Sequence, residues 1–178
     1  MADWVWRQID SFASLPVFAG FFVLSLIFLL GIFPAFKRHY KDIPTLDVDP
    51  WGFSVDDAKT RLDAMNEHQL RVYRMQELTA DLIFPLVYSI GFAVATVLLL
   101  RYVNAPHWLV LLPFGAAIAD YGENLSIAAM IGRKLRGLEL GTIASVGSVA
   151  SRFKHSLLLA TIVVLVGLGA WAVWKRYR

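Results

Sequence analysis

Three long stretches of the chain carry no charge. Leu15 to Phe36 is rich in Phe and Leu, and Leu82 to Leu100 and Ser156 to Trp174 repeat the pattern. A fourth stretch, Trp108 to Gly132, is equally long but contains Asp120 and Glu123. Crossing a hydrocarbon core of about 30 Å as a helix takes about 20 apolar residues. An open strand in lipid would leave backbone groups unpaired, so all four stretches are expected to be helices. The spans are placed at about 15–36, 78–100, 108–132 and 156–174, within a single membrane domain covering 1–178. The expected fold is all-α: an antiparallel bundle of four transmembrane helices. Pro85 and Pro113 lie inside spans, where they free backbone carbonyls and tend to bend helices. The first span is too long for a signal-peptide core and has no small-residue cleavage site after it, so it is read as a retained helix.

The polar stretch 37–77 separates the first two spans. Asp42, Pro44, Asp47, Asp49, Pro50 and Gly52 mark a turn-rich loop. Ser54 followed by Asp56 and Asp57 is a helix start, with carboxylates at the positive end of the helix dipole. Ala58, Leu62 and Met65 give this helix a modest apolar face, which predicts an amphipathic helix on the membrane surface, running on through Leu70 and Val72 into the second span. Ala144 and Ser148, and Gly147 and Ser151, space small residues for close helix packing. One long helix is therefore expected to lead from this segment into the last span.

Composition narrows the class. The chain is 57% hydrophobic and only 17% charged, whereas soluble domains carry about 25% charged residues. It has no cysteine, which excludes a disulfide scaffold and thiolate metal sites. A net charge of +3 is too small an excess to argue for nucleic acid. The basic residues divide unequally: 5 lie on the side of the termini and the 101–107 loop, and 12 (Lys41 among them) on the other. The positive-inside rule then puts the 37–77 loop and helix in the cytoplasm and both termini outside. Trp4, Trp6, Trp51, Trp108, Trp171 and Trp174 lie near span ends, as an interfacial belt requires.

Candidate chemistry lies where polar groups enter the apolar spans. Arg74, Glu77, Asp81 and Tyr88 share one face of the second helix, and Asp120, Glu123 and Asn124 share one face of the third. At about 1.5 Å per residue, Asp120 and Tyr88 fall about 15 Å inside the cytoplasmic ends of their runs, Glu123 about 12 Å and Asp81 about 5 Å. A carboxylate at the bilayer centre costs about 2.5–3.5 kcal/mol on insertion scales. These acids must therefore be protonated, paired or wetted. Asp81, Tyr88, Asp120, Glu123 and Asn124 form the candidate ligand- or ion-binding set. Arg74, Glu77, Arg152 and His155 form its mouth. The structural alternative is that the acids pair with Arg74 or Arg133 and fix the register of the bundle, while Arg74 and Glu77 snorkel to the interface. The four histidines are scattered, with no pair at mid-span to ligate haem. Phosphate-loop, HExxH and nucleophile-elbow motifs are absent from the sequence.

The segments Asp81-Leu82-Ile83-Phe84-Pro85-Leu86-Val87-Tyr88 and Asp120-Tyr121-Gly122-Glu123-Asn124, preceded by Gly52-Phe53-Ser54, resemble a group of small bacterial four-span membrane proteins. These carry a D-x-x-F-P-x-x-Y helix and a D-x-x-E-N helix. The resemblance covers residues 45–130. It implies a bacterial inner membrane and brings no activity with it.

Three functions fit the sequence. The first is a buried acidic/Asn/Tyr site between the second and third helices that binds a proton, a cation or a polar lipid head group. The second is a structural or accessory subunit of a membrane complex. The third is a small lipid-modifying enzyme using its buried carboxylates as acid and base. No cofactor is required, although carboxylates with Asn offer oxygen ligands to a divalent cation such as Mg²⁺. The partners implied are the lipid bilayer and a second copy or another membrane subunit.

Overall fold

The computed structural model describes residues 1–40 and 43–178. Lys41 and Asp42 of the expected loop lie outside the described residues. Helices α1 (Ala2–Asp10), α2 (Leu15–Ile27), α3 (Phe33–Lys37), α4 (Val55–Asp63), α5 (Glu67–Glu77), α6 (Ala80–Leu100), α7 (Leu112–Lys134) and α8 (Thr142–Arg176) carry most of the described chain, which contains no strand. Helix α2 starts at Ser14, whose side chain accepts from the Val17 N–H, with Pro16 in the first turn. It runs into α3 through a π-helical turn, Phe28–Ile32, closed by the Phe33 N–H on the Phe28 carbonyl. Pro34 follows directly. Its ring can neither donate to nor fit against the carbonyl of Leu30, and the wider turn absorbs the clash.

Among the described residues, three helical stretches are long and apolar enough to cross a membrane: Leu15–Lys37, Glu67–Leu100 and Thr142–Arg176. Helix α7 has 23 residues, enough in length, but Asp120, Glu123 and Asn124 make it more polar than the other three. It lies inside the bundle, packed against α5, α6 and α8. The seam with α8 is built from small residues. A Cβ on Gly147 would sit 3.0 Å from Ser126, and one on Gly122 would sit 3.5 Å from Ala150. The expected small-residue face of α8 is indeed buried: Ala144, Gly147, Ser148 and Ser151 all point inward. Helix α2 leans on α6, with Gly91 close to Phe21, and makes little contact with α8.

The segment after the first span folds as two capped helices and not as one. Ser54 with Asp57, and Asn66 with Gln69, each form a capping box. The apolar faces of α4 and α5 turn onto the ends of α7 and α8. There Leu62, Leu70 and Tyr73 share a core with Phe53, Met130, Ile131 and Ala144. Helix α5 ends at Glu77, and Thr79 leaves helical geometry before α6 begins. This break divides the expected polar face of the second helix. Pro113 falls in the first turn of α7, where a missing N–H costs nothing.

Candidate functional site

Pro85 lies within α6 and has no N–H to offer the carbonyl of Asp81, four residues back. That orphan carbonyl accepts from Asn124 Nδ2 on α7, at 2.6 Å. A proline on one helix and an asparagine on the next thus make one interhelical bond. The amide of Asn124 is committed to structure, although the residue still lines the space between the helices.

Asp120 and Glu123 find a cation that the sequence reading did not assign. Lys154 of α8 is 8% exposed. Its Nζ lies 3.4 Å from Asp120 Oδ1, pairs closely with Glu123 Oε2 and donates to the Asp47 carbonyl at 3.3 Å. The contact to the Asp47 carbonyl is a hydrogen bond and the two to the carboxylates are ion pairs. The depths agree: Lys154 is about 18 Å along α8 from Thr142, and Asp120 is about 21 Å along α7 from Lys134. Tyr88 donates to Asp120 Oδ2 at 3.0 Å. Asp120, Glu123 and Asn124 are all buried, as their shared face requires.

The loop end is laced shut by α8. Ser151 Oγ donates to the Asp49 carbonyl (3.0 Å), Arg152 Nε to the Trp51 carbonyl (2.7 Å), and the Phe53 N–H to Ser148 Oγ (3.0 Å). Gly52 allows this approach. Its φ is +74°, and a Cβ there would lie 2.5 Å from Ser148 Oγ. Tyr73 donates to Asp47 Oδ1 and accepts from the Leu46 N–H, both at 3.0 Å. Tyr40 donates to Gln76 Oε1, and Gln76 Nε2 donates to Asp81 Oδ2 at 2.8 Å. Burial, then the nearby carboxylates, push the Tyr40 hydroxyl above its ordinary pKa, so it stays a donor. On a straight helix Gln76 and Asp81 would stand about 140° apart. The break at Leu78 and Thr79 brings them together.

The four expected mouth residues part company. Arg74 donates to the Ala128 carbonyl (3.1 Å) and reaches neither acid of α7. Arg133 donates to the Glu139 carbonyl. Arg152 is spent on the loop. His155 lines the cavity described below, with Nδ1 2.9 Å from the Ser151 carbonyl. Glu77 does not snorkel: it is 0% exposed, and neither carboxyl oxygen has a hydrogen-bond partner. The break after Glu77 turns its side chain inward. Lys154, Asp47 and Gln76 are the site-lining residues that sequence reasoning missed.

These groups close one end of a cavity of about 570 Å³ between α2, α6, α7 and α8. Its loop end is lined by Lys37, Asp47, Asp81, Asp120, Lys154 and His155. Its far end is lined by Phe18, Phe21, Phe22, Phe92, Leu158 and Ile162. Among the described residues no group of three or more His, Asp or Glu side chains is placed to hold a metal ion. No family model, curated protein or solved structure matches the chain. Its chemistry must therefore be read from the cavity, which offers charge at one end and aromatic hydrocarbon at the other.

Proposed function

We propose that this chain is an inner-membrane protein that binds a membrane amphiphile, its polar head among the carboxylates and its hydrocarbon along the phenylalanines. One observation carries the reading: a single cavity changes from charged to aromatic along its length. A site for a bare proton or cation has no use for the aromatic arm. The volume lies within the range of about 300–1,000 Å³ of small-molecule sites. The scant contact between α2 and α8 leaves a side passage for a lipid.

In the same reading α7 is a fourth crossing helix. Its 23 residues reach about 34 Å, and its polar side chains are turned inward. Both termini then lie outside, with the laced loop in the cytoplasm, so the head-group end of the cavity faces the inner leaflet. Cysteines placed at Asp47 and Arg178 test this: a membrane-impermeant thiol reagent labels only the second in intact cells.

The binding test is direct. Protein purified in mild detergent retains a stoichiometric amphiphile on native mass spectrometry, and Ser25→Trp, which fills the arm, loses it. Preparations of parent protein and variant that are equally free of lipid, and equally unresponsive to added lipid, refute the proposal.

A further inference from the structure

The unused hydrogen-bonding capacity at the polar end identifies the kind of head group it accepts. Each of its donor groups already has a partner. Lys154 serves Asp120, Glu123 and the Asp47 carbonyl. Asn124 Nδ2 serves the Asp81 carbonyl, Gln76 Nε2 serves Asp81 Oδ2, and Tyr88 serves Asp120 Oδ2. His155 Nδ1 must carry the proton, since the Ser151 carbonyl can only accept, and this leaves Nε2 an acceptor in the neutral ring.

Its acceptors are not taken. Among the described residues, Asp81 Oδ1 and Asp47 Oδ2 receive no hydrogen bond, and neither side chain is in an ion pair. Both residues line the cavity. Glu77, buried and unpartnered, adds a further carboxyl within Coulomb reach of both. A ligand that brings N–H donors and positive charge matches these open acceptors. At the rim, Lys37 lines the same cavity, is exposed and makes no ion pair among the described residues. It offers a cation to an anionic group of the same ligand.

We propose that the ligand is a zwitterionic aminophospholipid, with its primary ammonium between Asp47 and Asp81, its phosphate at Lys37 and a chain along the phenylalanine arm. This rests on the reading that the cavity holds an amphiphile, and it specifies the head. A primary ammonium supplies three N–H donors to carboxylates whose lone pairs are free. A trimethylated ammonium has none to give, and a glycerol head lacks the charge.

The experiment uses the full chain, delipidated in detergent, with short-chain phosphatidylethanolamine, phosphatidylcholine and phosphatidylglycerol as probes. Affinity is read by native mass spectrometry and by lipid-induced thermal shift. The ethanolamine lipid is expected to bind about tenfold or more tightly than either other lipid, the equivalent of one charge-assisted hydrogen bond. Asp81→Asn should abolish that preference. Asp47→Asn, on the loop and outside the Gln76 chain, gives an independent reading if Asp81→Asn fails to fold. Lys37→Ala should weaken ethanolamine and choline lipids alike. Equal binding of all three probes, or a preference for glycerol, overturns the head-group assignment; if that binding is blocked by Ser25→Trp, the amphiphile site itself stands. Failure of every probe to bind overturns both.

Discussion

Replacing Lys154 by methionine keeps most of the side-chain volume and removes the one buried cation among the described residues. Two acids lose it together, Asp120 with 10% of its side chain exposed and Glu123 with none. Breaking a buried pair by deleting one partner costs about 3–5 kcal/mol, because the remaining charge stays uncompensated. For a chain of this size each kcal/mol moves the melting point by about 2–4 °C, so Lys154→Met should melt about 6–20 °C lower. The loss should be largely reversible. Adding Glu123→Gln to Lys154→Met removes the most buried stranded acid, while Asp120 keeps its bond from Tyr88. The double variant should therefore be the more stable of the two. Glu123→Gln alone leaves Lys154 with Asp120 and the Asp47 carbonyl, and should cost only about 1–3 kcal/mol. Tryptophan fluorescence on heating in detergent reads all three. A Lys154→Met variant that melts with the parent, or a double variant no better than the single, would refute this account of how the acids are held.

Asn124→Ala should cost about 1–3 kcal/mol by orphaning the Asp81 carbonyl, but little when Pro85→Ala restores an N–H to it; a thermal double-mutant cycle measures that coupling. Gly52→Ala should loosen the loop, since a Cβ meets Ser148 Oγ at 2.5 Å, and speed proteolysis within 43–53. Gly137→Ala, also at positive φ but with nothing within 4 Å, should carry only the backbone penalty of about 1–2 kcal/mol. Hydrogen bonds from Ser54 hold the Asp57 carboxyl below its ordinary pKa. The folded state thus binds this proton less tightly than the unfolded state. Its stabilising contribution is present above the ordinary carboxylate range and lost as pH falls through the lowered value. Asp57→Asn should flatten that part of the acid limb in melts taken below about pH 5.

Much of this was readable in the sequence, because lipid makes strict demands. The three uncharged runs could only be helices, and Asp120, Glu123 and Asn124 could only face inward. The capping residue Ser54 marked α4 to the residue. What escaped depended on backbone geometry that apolar periodicity does not encode. The break at Leu78 and Thr79 separates Arg74 from Asp81 and buries Glu77, whereas a continuous helix would have left all of them on one face. Lys154 stands two residues outside the apolar run and falls among the 12 basic residues on the side away from the termini. The signal that could have found it was the small-residue stripe Ala144, Gly147, Ser148 and Ser151. Extended by three residues, it lands on Lys154. Asp47 was out of reach, because a loop residue enters the site through bonds to Tyr73 of α5 and to Lys154 of α8, 107 positions along the chain.

The order in which the chain is made gives Lys154 a further meaning. Synthesis delivers α7 with its two acids before α8 exists, and at about 5–20 residues per second the charge that balances them arrives seconds later. On the reading that α7 crosses the membrane, it is until then the least lipid-compatible long helix of the molecule. The loop between the first two hydrophobic helices is also unfinished: Tyr73 and Arg61 already hold part of it, but four further bonds go to Ser148, Ser151, Arg152 and Lys154. Arrival of α8 thus completes two things at once, neutralising the acids of α7 and tying down the loop. On the same reading the last helix is a closing latch, and a nascent chain without it leaves the carboxylates of α7 without their cation.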